Sequence, residues 1–483
     1  MHRSPAVPPP AGRWGVPLAP ALPLALALAL APLLAAPAAR AAQSQAYVLT
    51  SDFMTGSLSV VDLDTRAVSL DVEAIHSDAV ARWYQGELYV VNRFGQDNVQ
   101  VVSGTPPHHT VRQFSTGNGS NPQDIAFVSA SKAYVTRYAE PSLLIVNPTT
   151  GASPGAIDLS AFADGDGIPD MARMIRVGRW LFVALQRLTS FVPSGTSMVA
   201  VVDTEADTVL DVNPALPGTQ AIVLAAQNPV TTFAYDPAGR RLLVGCTGNL
   251  TVLDGGVEAI DPASFQSLGL VVTEAVLGGD LGDLAWYSGT RSYAIVSDAS
   301  FNTSLVAWNP STGAAIGPVF SPVGFVLPDC AVNDRGELYL CDNDFLAPGV
   351  YVFSAATGAP LAGPIGTGLP PQQVVFDEAD DAVLAAPDRA AAGPRLGPAL
   401  PNPARDGVRL ALRLTAAGEV RVEVFDPGGR RVRRVFAGAT AAGERILKWD
   451  LDDDRGNRVF PGVYVIRVST ASGLVSTKVA VLD

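Results

Sequence analysis

Residues 121–152 read NPQDIAFVSASKAYVTRYAEPSLLIVNPTTGA, and this stretch decides the fold. It opens on a proline-containing turn and a short apolar strand, then passes through a polar turn into a second strand. A third strand follows, and a Thr/Gly turn ends the unit. The strands are rich in Val, Ile, Leu, Tyr and Phe, while Gly, Pro, Asn and Asp stand between them. This pattern is typical of short β-strands joined by tight turns.

The same unit recurs along the chain. Clear copies lie at 283–314 and 329–359, and weaker copies lie at 78–104, 170–209 and 231–265. Repeats spaced by about 40–50 residues indicate a β-propeller. No long segment has the 3.6-residue apolar period of a helix, so the fold class is all-β.

Two half-units complete the repeat. Residues 372–386 carry the first two strands of a unit, and residues 46–68 carry the later ones. Joined, they form one blade from both ends of the repeat region, which leaves no exposed sheet edge in a circular array. Six whole units and one shared unit predict a seven-bladed propeller over 43–386. An open solenoid is the alternative, and the split unit argues against it.

These residues also resemble a known family. The runs Ala133-Tyr134-Val135-Thr136 and Leu144-Ile145-Val146-Asn147 are similar to the YVTN (YncE-type) repeat of bacterial propellers, as are Tyr47-Val48-Leu49-Thr50 and Val60-Val61-Asp62. The resemblance covers the predicted propeller. It implies the fold and leaves the activity open, because propellers host many unrelated functions.

A second domain is predicted after the propeller. Residues 387–400 are rich in Ala, Pro and Gly and form the expected linker. Six short alternating segments follow within 401–483, which predicts a small β-sandwich. The predicted strands span 408–414, 420–426, 430–436, 445–450, 462–469 and 475–482.

This tail resembles the Ig-like domain of the flagellar hook-capping protein FlgD. The matching motifs are Pro401-Asn402-Pro403, Val424-Phe425-Asp426, Lys448-Trp449-Asp450 and Gly462-Val463-Tyr464. Ala404 departs from the pattern, in which an aromatic residue is common after the first motif. The resemblance implies a module that ends cell-surface proteins, including proteins that carry type IX secretion sorting signals.

The N-terminus predicts export. Arg3 and Arg13 precede an apolar run over about 16–36, and Ala39 and Ala41 supply an A-x-A cleavage site, so residues 1–41 read as a signal peptide. A retained membrane anchor is the alternative, and five prolines in the stretch argue against it. We therefore expect a periplasmic, cell-surface or extracellular protein.

Charge narrows the choice of partners. The 483 residues carry 33 Lys and Arg against 46 Asp and Glu, a net charge of −13, which disfavours nucleic acid. A protein or glycan of the cell envelope is the expected partner.

A pattern across the blades predicts a ligand site. Alignment of the first strand of each unit places polar residues at roughly equivalent positions, where they could ring the channel mouth and favour a cation or a cationic ligand. Alternatively, each side chain accepts backbone N–H bonds from the neighbouring turn and ties blade to blade. The predicted ring consists of Asp78, Asp124, Asp170, Thr232, Asp283, Asp329 and Gln373.

An acidic loop suggests calcium. Asp164 and Asp166 alternate with glycines, and Asp170 follows four residues after Asp166. The run resembles part of a thrombospondin-type calcium loop. Carboxylates in such a loop can bind Ca²⁺, which prefers oxygen ligands. An ordinary acidic turn is the alternative. Ca²⁺ is the one cofactor that the sequence suggests.

Catalytic chemistry is sparse in the sequence. His108 and His109 fit a solvated loop better than a metal pair, and His76 stands alone before a first strand. Cys330 and Cys341 flank a turn and form either a disulfide or two buried thiols. We expect a non-catalytic binding or scaffold protein. The alternatives are a metal-dependent lactonase or hydrolase that uses His76 with the ring, and a structural surface-layer component.

Overall fold

The computed structural model describes residues 43–377, 395–396, 401–414, 418–426, 429–441, 443–470 and 473–482. The predicted signal peptide, most of the predicted linker and residues 378–386 lie outside these ranges. Within them the regular structure is almost entirely β, with one short helix, α1 (Glu274–Leu277), and a single 3-10 turn (Ser160–Phe162). The described residues contain no helix long and apolar enough to cross a membrane.

Seven sheets form the blades of the propeller. Blade 1 begins with β1 (Gln45–Ser51), β2 (Gly56–Asp62) and β3 (Val68–Ile75). Blade 2 contains β4 (Ala79–Tyr84), β5 (Glu87–Asn92), β6 (Asn98–Ser103) and β7 (Thr110–Ser115). Blade 3 contains β8 (Pro122–Ser129), β9 (Lys132–Arg137), β10 (Ser142–Val146) and β11 (Gly155–Asp158).

Blade 4 is enlarged by a small hairpin and a fifth strand. Its sheet contains β12 (Met171–Val177) and β13 (Trp180–Leu185), and the hairpin is formed by β14 (Leu188–Thr189) and β15 (Val192–Pro193). The sheet continues with β16 (Met198–Asp203), β17 (Thr208–Val209) and β18 (Ile222–Val223).

The remaining blades have four strands each. Blade 5 contains β19 (Ala234–Asp236), β20 (Arg241–Cys246), β21 (Gly256–Asp261) and β22 (Gln266–Thr273). Blade 6 contains β23 (Asp280–Ser288), β24 (Arg291–Ser297), β25 (Thr303–Asn309) and β26 (Ala314–Phe320). Blade 7 contains β27 (Cys330–Val332), β28 (Glu337–Asp342), β29 (Gly349–Ser354) and β30 (Pro360–Ile365). The strand β31 (Pro371–Phe376) then returns to blade 1.

Circular closure depends on β31. It pairs antiparallel with β1, with Ala46 opposite Phe376, and so becomes the inner strand of blade 1. Asp377 extends the seam, because its Oδ1 accepts the N–H groups of Ser44 and Gln45, each at 2.8 Å. Residues 372–386 were expected to supply two strands. Only the first of these lies in the described range, and β1 occupies the second position.

The core of the propeller lies between blades. In the described residues of the propeller, buried apolar side chains form seven clusters, and each cluster combines two adjacent blades. One cluster joins blades 7 and 1, where Tyr339 and Val350 pack with Ala46 and Val48. Each blade therefore buries its two faces only when both neighbours are present.

The tyrosines of the repeat add polar ties between blades. The hydroxyl of Tyr47 donates to the carbonyl of Gly104 at 2.9 Å, and the hydroxyl of Tyr293 donates to the carbonyl of Ala355 at 2.6 Å. In both cases the acceptor lies in an outer turn of the next blade. Buried tyrosine hydroxyls need such partners, which explains why an aromatic residue with a polar tip suits this position.

The tail forms the predicted sandwich. One sheet contains β32 (Arg395–Leu396), β33 (Val408–Leu414) and β36 (Gly443–Trp449). The other contains β34 (Gly418–Phe425), β35 (Arg431–Thr440), β37 (Gly462–Thr470) and β38 (Gly473–Val481). All six predicted strands are present. The short β32 is an addition, and it falls within the predicted linker.

The motif residues of the tail lie at its structural joints. Asn402 accepts the N–H of Ala480 at 2.8 Å and donates to the carbonyl of Lys478 at 3.1 Å, so it fastens the start of the domain to β38. Trp449 packs edge-on against Tyr464, with ring centroids 5.4 Å apart. Ala404 stands where an aromatic residue is common in the pattern, and it is completely buried.

Closure can be tested by truncation. A chain that starts at Val68 lacks β1 and β2, so β31 loses its partner and the cluster between blades 7 and 1 loses one side. We expect a lower melting temperature and loss of cooperative unfolding, measured by circular dichroism. A chain that starts at Gln43 is the control and keeps the full melt. Equal melting of the two chains would contradict closure by β1.

Candidate functional site

Strand register defines one equivalent position near the start of the inner strand of every blade, or one or two residues before it. In each blade we take one residue of the second strand and its pairing partner on the inner strand, and the position lies three residues before that partner. The second-strand residues, from blade 1 to blade 7, are Ala46, Leu88, Ala133, Leu181, Leu242, Ser292 and Leu338. We call the position defined in this way the ring position. In order of blades, it is occupied by Gln373, Val80, Asp124, Arg173, Thr232, Asp283 and Asp329.

Five of the seven predicted ring residues occupy this position, and Asp78 and Asp170 do not. Asp78 lies two residues earlier, where its carboxylate contacts Arg93. Asp170 lies in a loop with φ +51°, and its Oδ2 accepts the N–H of Leu188 at 2.6 Å. The sequence prediction takes a polar residue at the entry to each first strand, whereas β-pairing sets the register. Alignment of the second strands on their buried aromatic residues would have identified Val80 and Arg173.

Four ring side chains tie one blade to the next. Each accepts the backbone N–H that immediately follows the ring position of the neighbouring blade. The four bonds are Asp124 Oδ2 to Met174 N at 2.8 Å, Asp283 Oδ2 to Cys330 N at 2.9 Å, Asp329 Oδ2 to Val374 N at 3.0 Å and Gln373 Oε1 to Ala81 N at 2.8 Å. The structural interpretation of the ring thus holds for these residues.

The channel carries both signs of charge. Arg82 donates two hydrogen bonds of 2.8 Å to the carboxylate of Asp124. Arg173 donates to the carbonyl of Gln123 at 3.0 Å, and burial lowers its pKa to about 10. The predicted ring contains five aspartates, Thr232 and Gln373, and no basic residue. The arginines compensate part of the negative charge, so the channel is a mixed-charge lining.

The buried carboxylates differ in their preferred ionisation state. Burial raises the pKa of Asp283 to about 6 and raises that of Asp329 as well, where the charge of Asp283 adds to the effect. Burial also disfavours the charged form of Asp124, but the attraction of Arg82 outweighs it and holds the pKa of Asp124 below its ordinary value. Charge pairing, more than position in the ring, decides which carboxylate stays ionised.

A cavity of about 350 Å³ opens at the mouth of the channel. Its lining includes five of the predicted residues, together with Arg93, Arg173, Gln372 and the loop residue Phe53. The five are Asp78, Thr232, Asp283, Asp329 and Gln373. Asp124 and Asp170 are not part of the lining. The mouth therefore offers acidic, basic, amide and aromatic groups to a ligand within one concave site.

The suggested calcium loop does not form an ion cage. Asp164 Oδ2 accepts the hydroxyl of Ser194, and Asp166 Oδ1 accepts the N–H of Ile168 at 2.9 Å. Asp170 is engaged with Leu188, as above. In the part of the chain that the structure describes, no group of three or more His, Cys, Asp or Glu side chains is arranged to hold a metal.

The remaining polar candidates have local partners. His76 Nδ1 lies 3.1 Å from the carbonyl oxygen of Asp78. His108 is buried, and its Nδ1 lies 3.2 Å from the carbonyl oxygen of Ser103. Cys330 and Cys341 are buried free thiols, so the disulfide alternative is wrong. Burial raises the pKa of both thiols, which disfavours the reactive thiolate.

Comparisons with known proteins match the two parts of the chain separately. Residues 402–473 match the FlgD Ig-like domain, which confirms that resemblance. No curated protein matches the chain.

Solved structures also match the chain, at low sequence identity. The Dos1 propeller is 10% identical, with a TM-score of 0.45, and the match covers 87% of this chain and 96% of that one. A Lactobacillus plantarum protein is 12% identical, with a TM-score of 0.49 and coverage of 69% and 99%. A quinonprotein alcohol dehydrogenase-like protein from Bacteroides thetaiotaomicron is 10% identical, with a TM-score of 0.47 and coverage of 70% and 79%.

The ties between blades can be tested by paired substitutions. Asp124→Ala removes the acceptor of the Met174 N–H and the carboxylate that compensates Arg82, and we expect a loss of about 2–4 kcal/mol in the free energy of unfolding. The control is Asp78→Ala, because the Asp78 side chain is 42% exposed and its contact with Arg93 is worth about 1 kcal/mol or less. Urea unfolding measures both. Equal losses would show that the ring position has no special structural role.

The raised pKa of Asp283 predicts a pH dependence. Its folded pKa of about 6 lies above the ordinary value of 3.8, so the folded state binds the proton more tightly. The stability due to Asp283 is then fully present below about pH 4 and is lost as the pH rises through 6. Asp283→Asn keeps an acceptor for the Cys330 N–H and removes the titration. We expect the wild type to gain stability relative to this variant as the pH falls from 7 to 4, and a constant difference would contradict the shift.

Proposed function

We propose that this chain is an exported, non-catalytic binding or scaffold protein whose propeller contacts its ligand at the channel mouth. The observation that carries the proposal is the cavity of about 350 Å³, where exposed Phe53 and half-exposed Asp78 stand beside Arg93 and Gln372. A protein, a glycan or a cationic group fits such a mixed lining, because each can pair with both polar and aromatic groups.

The use of the carboxylates favours binding over catalysis. A hydrolase needs ionisable groups that are free to act on a substrate or a metal. Here Asp283 and Asp329 accept backbone N–H bonds from the next blade, and His76 lies against the backbone of Asp78. These side chains serve the fold, which supports a binding role more than the lactonase alternative.

The tail completes the proposal. Its FlgD-like domain is suited to attachment or sorting at the cell envelope, and the type IX sorting role is the specific form that we propose. Residues 1–41 are proposed as the export signal, and the propeller is proposed to be of the YncE type.

The proposal can be tested with a random displayed peptide library, selected on the purified full chain. Peptides that bind at the mouth should lose most of their affinity for the double variant Phe53→Ser with Asp78→Ala. They should bind normally to Leu268→Ser, since Leu268 is a 58% exposed residue of the outer strand β22. Turnover of a lactone by the full chain that a chelator abolishes, or the absence of any selected peptide whose binding depends on the mouth residues, would overturn the proposal.

A further inference from the structure

One face of the propeller is apolar at its loop tips. The loops between the second and third strands of the blades share this face with the channel mouth, since Phe53 of the first such loop lines the mouth cavity. Their tips carry large apolar side chains that are between 49% and 95% exposed. These are Phe53, Met54, Phe94, Phe191, Leu250, Phe301, Phe345 and Leu346.

The same loops are acidic. They span 52–55, 93–97, 138–141, 186–197, 247–255, 298–302 and 343–348. Within them stand six Asp or Glu residues and two arginines. Both arginines are engaged: Arg93 contacts Asp78, and Arg187 donates to the carbonyl of Thr196 at 2.7 Å. The face therefore combines exposed apolar groups with net negative charge.

A groove between blades 5 and 6 concentrates both properties. Its volume is about 550 Å³, and Leu250, Phe301, Phe325 and Leu327 supply much of its apolar lining. The groove adjoins the mouth cavity, because Gly282 and Pro328 line both. An apolar patch bordered by polar residues is typical of a protein interaction site.

Asp280 places a buried carboxylate in the lining of this groove. Asp280 lines the groove and is 3% exposed, and its Oδ2 accepts the N–H of Thr251 at 2.7 Å. Its Oδ1 is buried and has no hydrogen-bond partner in the described residues. A buried carboxylate oxygen without a partner is costly, so a donor from a bound molecule would be stabilised there.

Asp280 and Asp254 both interact with a third acid, Glu274, although Glu274 carries only part of a negative charge near neutral pH. Burial, with the charges of Asp280 and Asp254, raises the pKa of Glu274 to about 7. In the described part of the chain, none of these three acids forms an ion pair with Lys or Arg. Negative charge beside an apolar groove calls for a basic group attached to an apolar one.

We infer that the groove between blades 5 and 6 binds a protein segment in which a large apolar side chain stands next to Lys or Arg. The apolar side chain fills the lining around Phe325, and the basic group pairs with Asp280. The apolar tips extend over most of the blades, a wider surface than a small molecule covers, so the partner is a polypeptide. This inference rests on the proposed binding function and names the partner's chemistry.

The test again selects a random peptide library on the full chain, then measures the affinity of synthetic copies by fluorescence anisotropy. We expect the selected peptides to share an apolar–basic pair. Asp280→Asn keeps an acceptor for the Thr251 N–H and removes the charge, and it should weaken these peptides at least about tenfold. Phe325→Ser should weaken them about tenfold, and Leu268→Ser should leave them unchanged.

The outcomes separate this inference from the proposed function. The selected peptides could lack the apolar–basic pair, fail to bind the mouth variant and bind Asp280→Asn and Phe325→Ser normally. That result would overturn the inference about the groove and leave the mouth as the binding site. Failure to select any peptide that depends on either site would overturn both. The library can also be selected on the Asp280→Asn variant. Peptides that then keep the apolar residue and no longer contain the basic residue would support the inference about the groove directly.

Discussion

The fold depends on burial between blades, not within them. Each apolar cluster of the propeller joins two adjacent blades, so an isolated blade has two uncovered faces. The ring is stable only when the last blade meets the first, and the pairing of β31 with β1 makes that contact. Asp377 strengthens the seam through the N–H groups of Ser44 and Gln45. The pairing of the two ends of the propeller thus contributes to the stability of every blade, because it completes the burial between blades.

The same requirement explains the polar residues of the channel. At the ring position, adjacent inner strands converge and leave backbone N–H groups that need acceptors. Asp124, Asp283, Asp329 and Gln373 supply them across the blade boundary. The main role of these acidic residues is therefore to hydrogen-bond one blade to the next. The arginines balance part of their charge, which leaves a mouth of mixed polarity.

Recognition is consequently expected on the loops. Loops can vary without disturbing the inner strands, because their side chains are not needed to close the ring. Phe53 reaches the mouth cavity from such a loop and lies 6.2 Å from Phe345 of the neighbouring blade, measured between ring centroids. The enlarged loop between β20 and β21 carries Leu250 to the groove of blades 5 and 6. A rigid ring thus presents a face of adaptable composition.

The amino-acid sequence by itself determined the class of fold, the repeat and the tail, because alternating apolar residues and turn residues are local signals. The units around Tyr134 and Tyr293 and the motif at Trp449 are read directly from their neighbours in the chain. Only the tertiary structure decided which residues meet. Asp78 and Asp170 resemble ring residues in sequence, yet hydrogen-bond register places Val80 and Arg173 at those positions. Asp280, in the first strand of blade 6, and Phe325, in the connection from blade 6 to blade 7, line one groove although 45 residues separate them, and no local pattern encodes that contact.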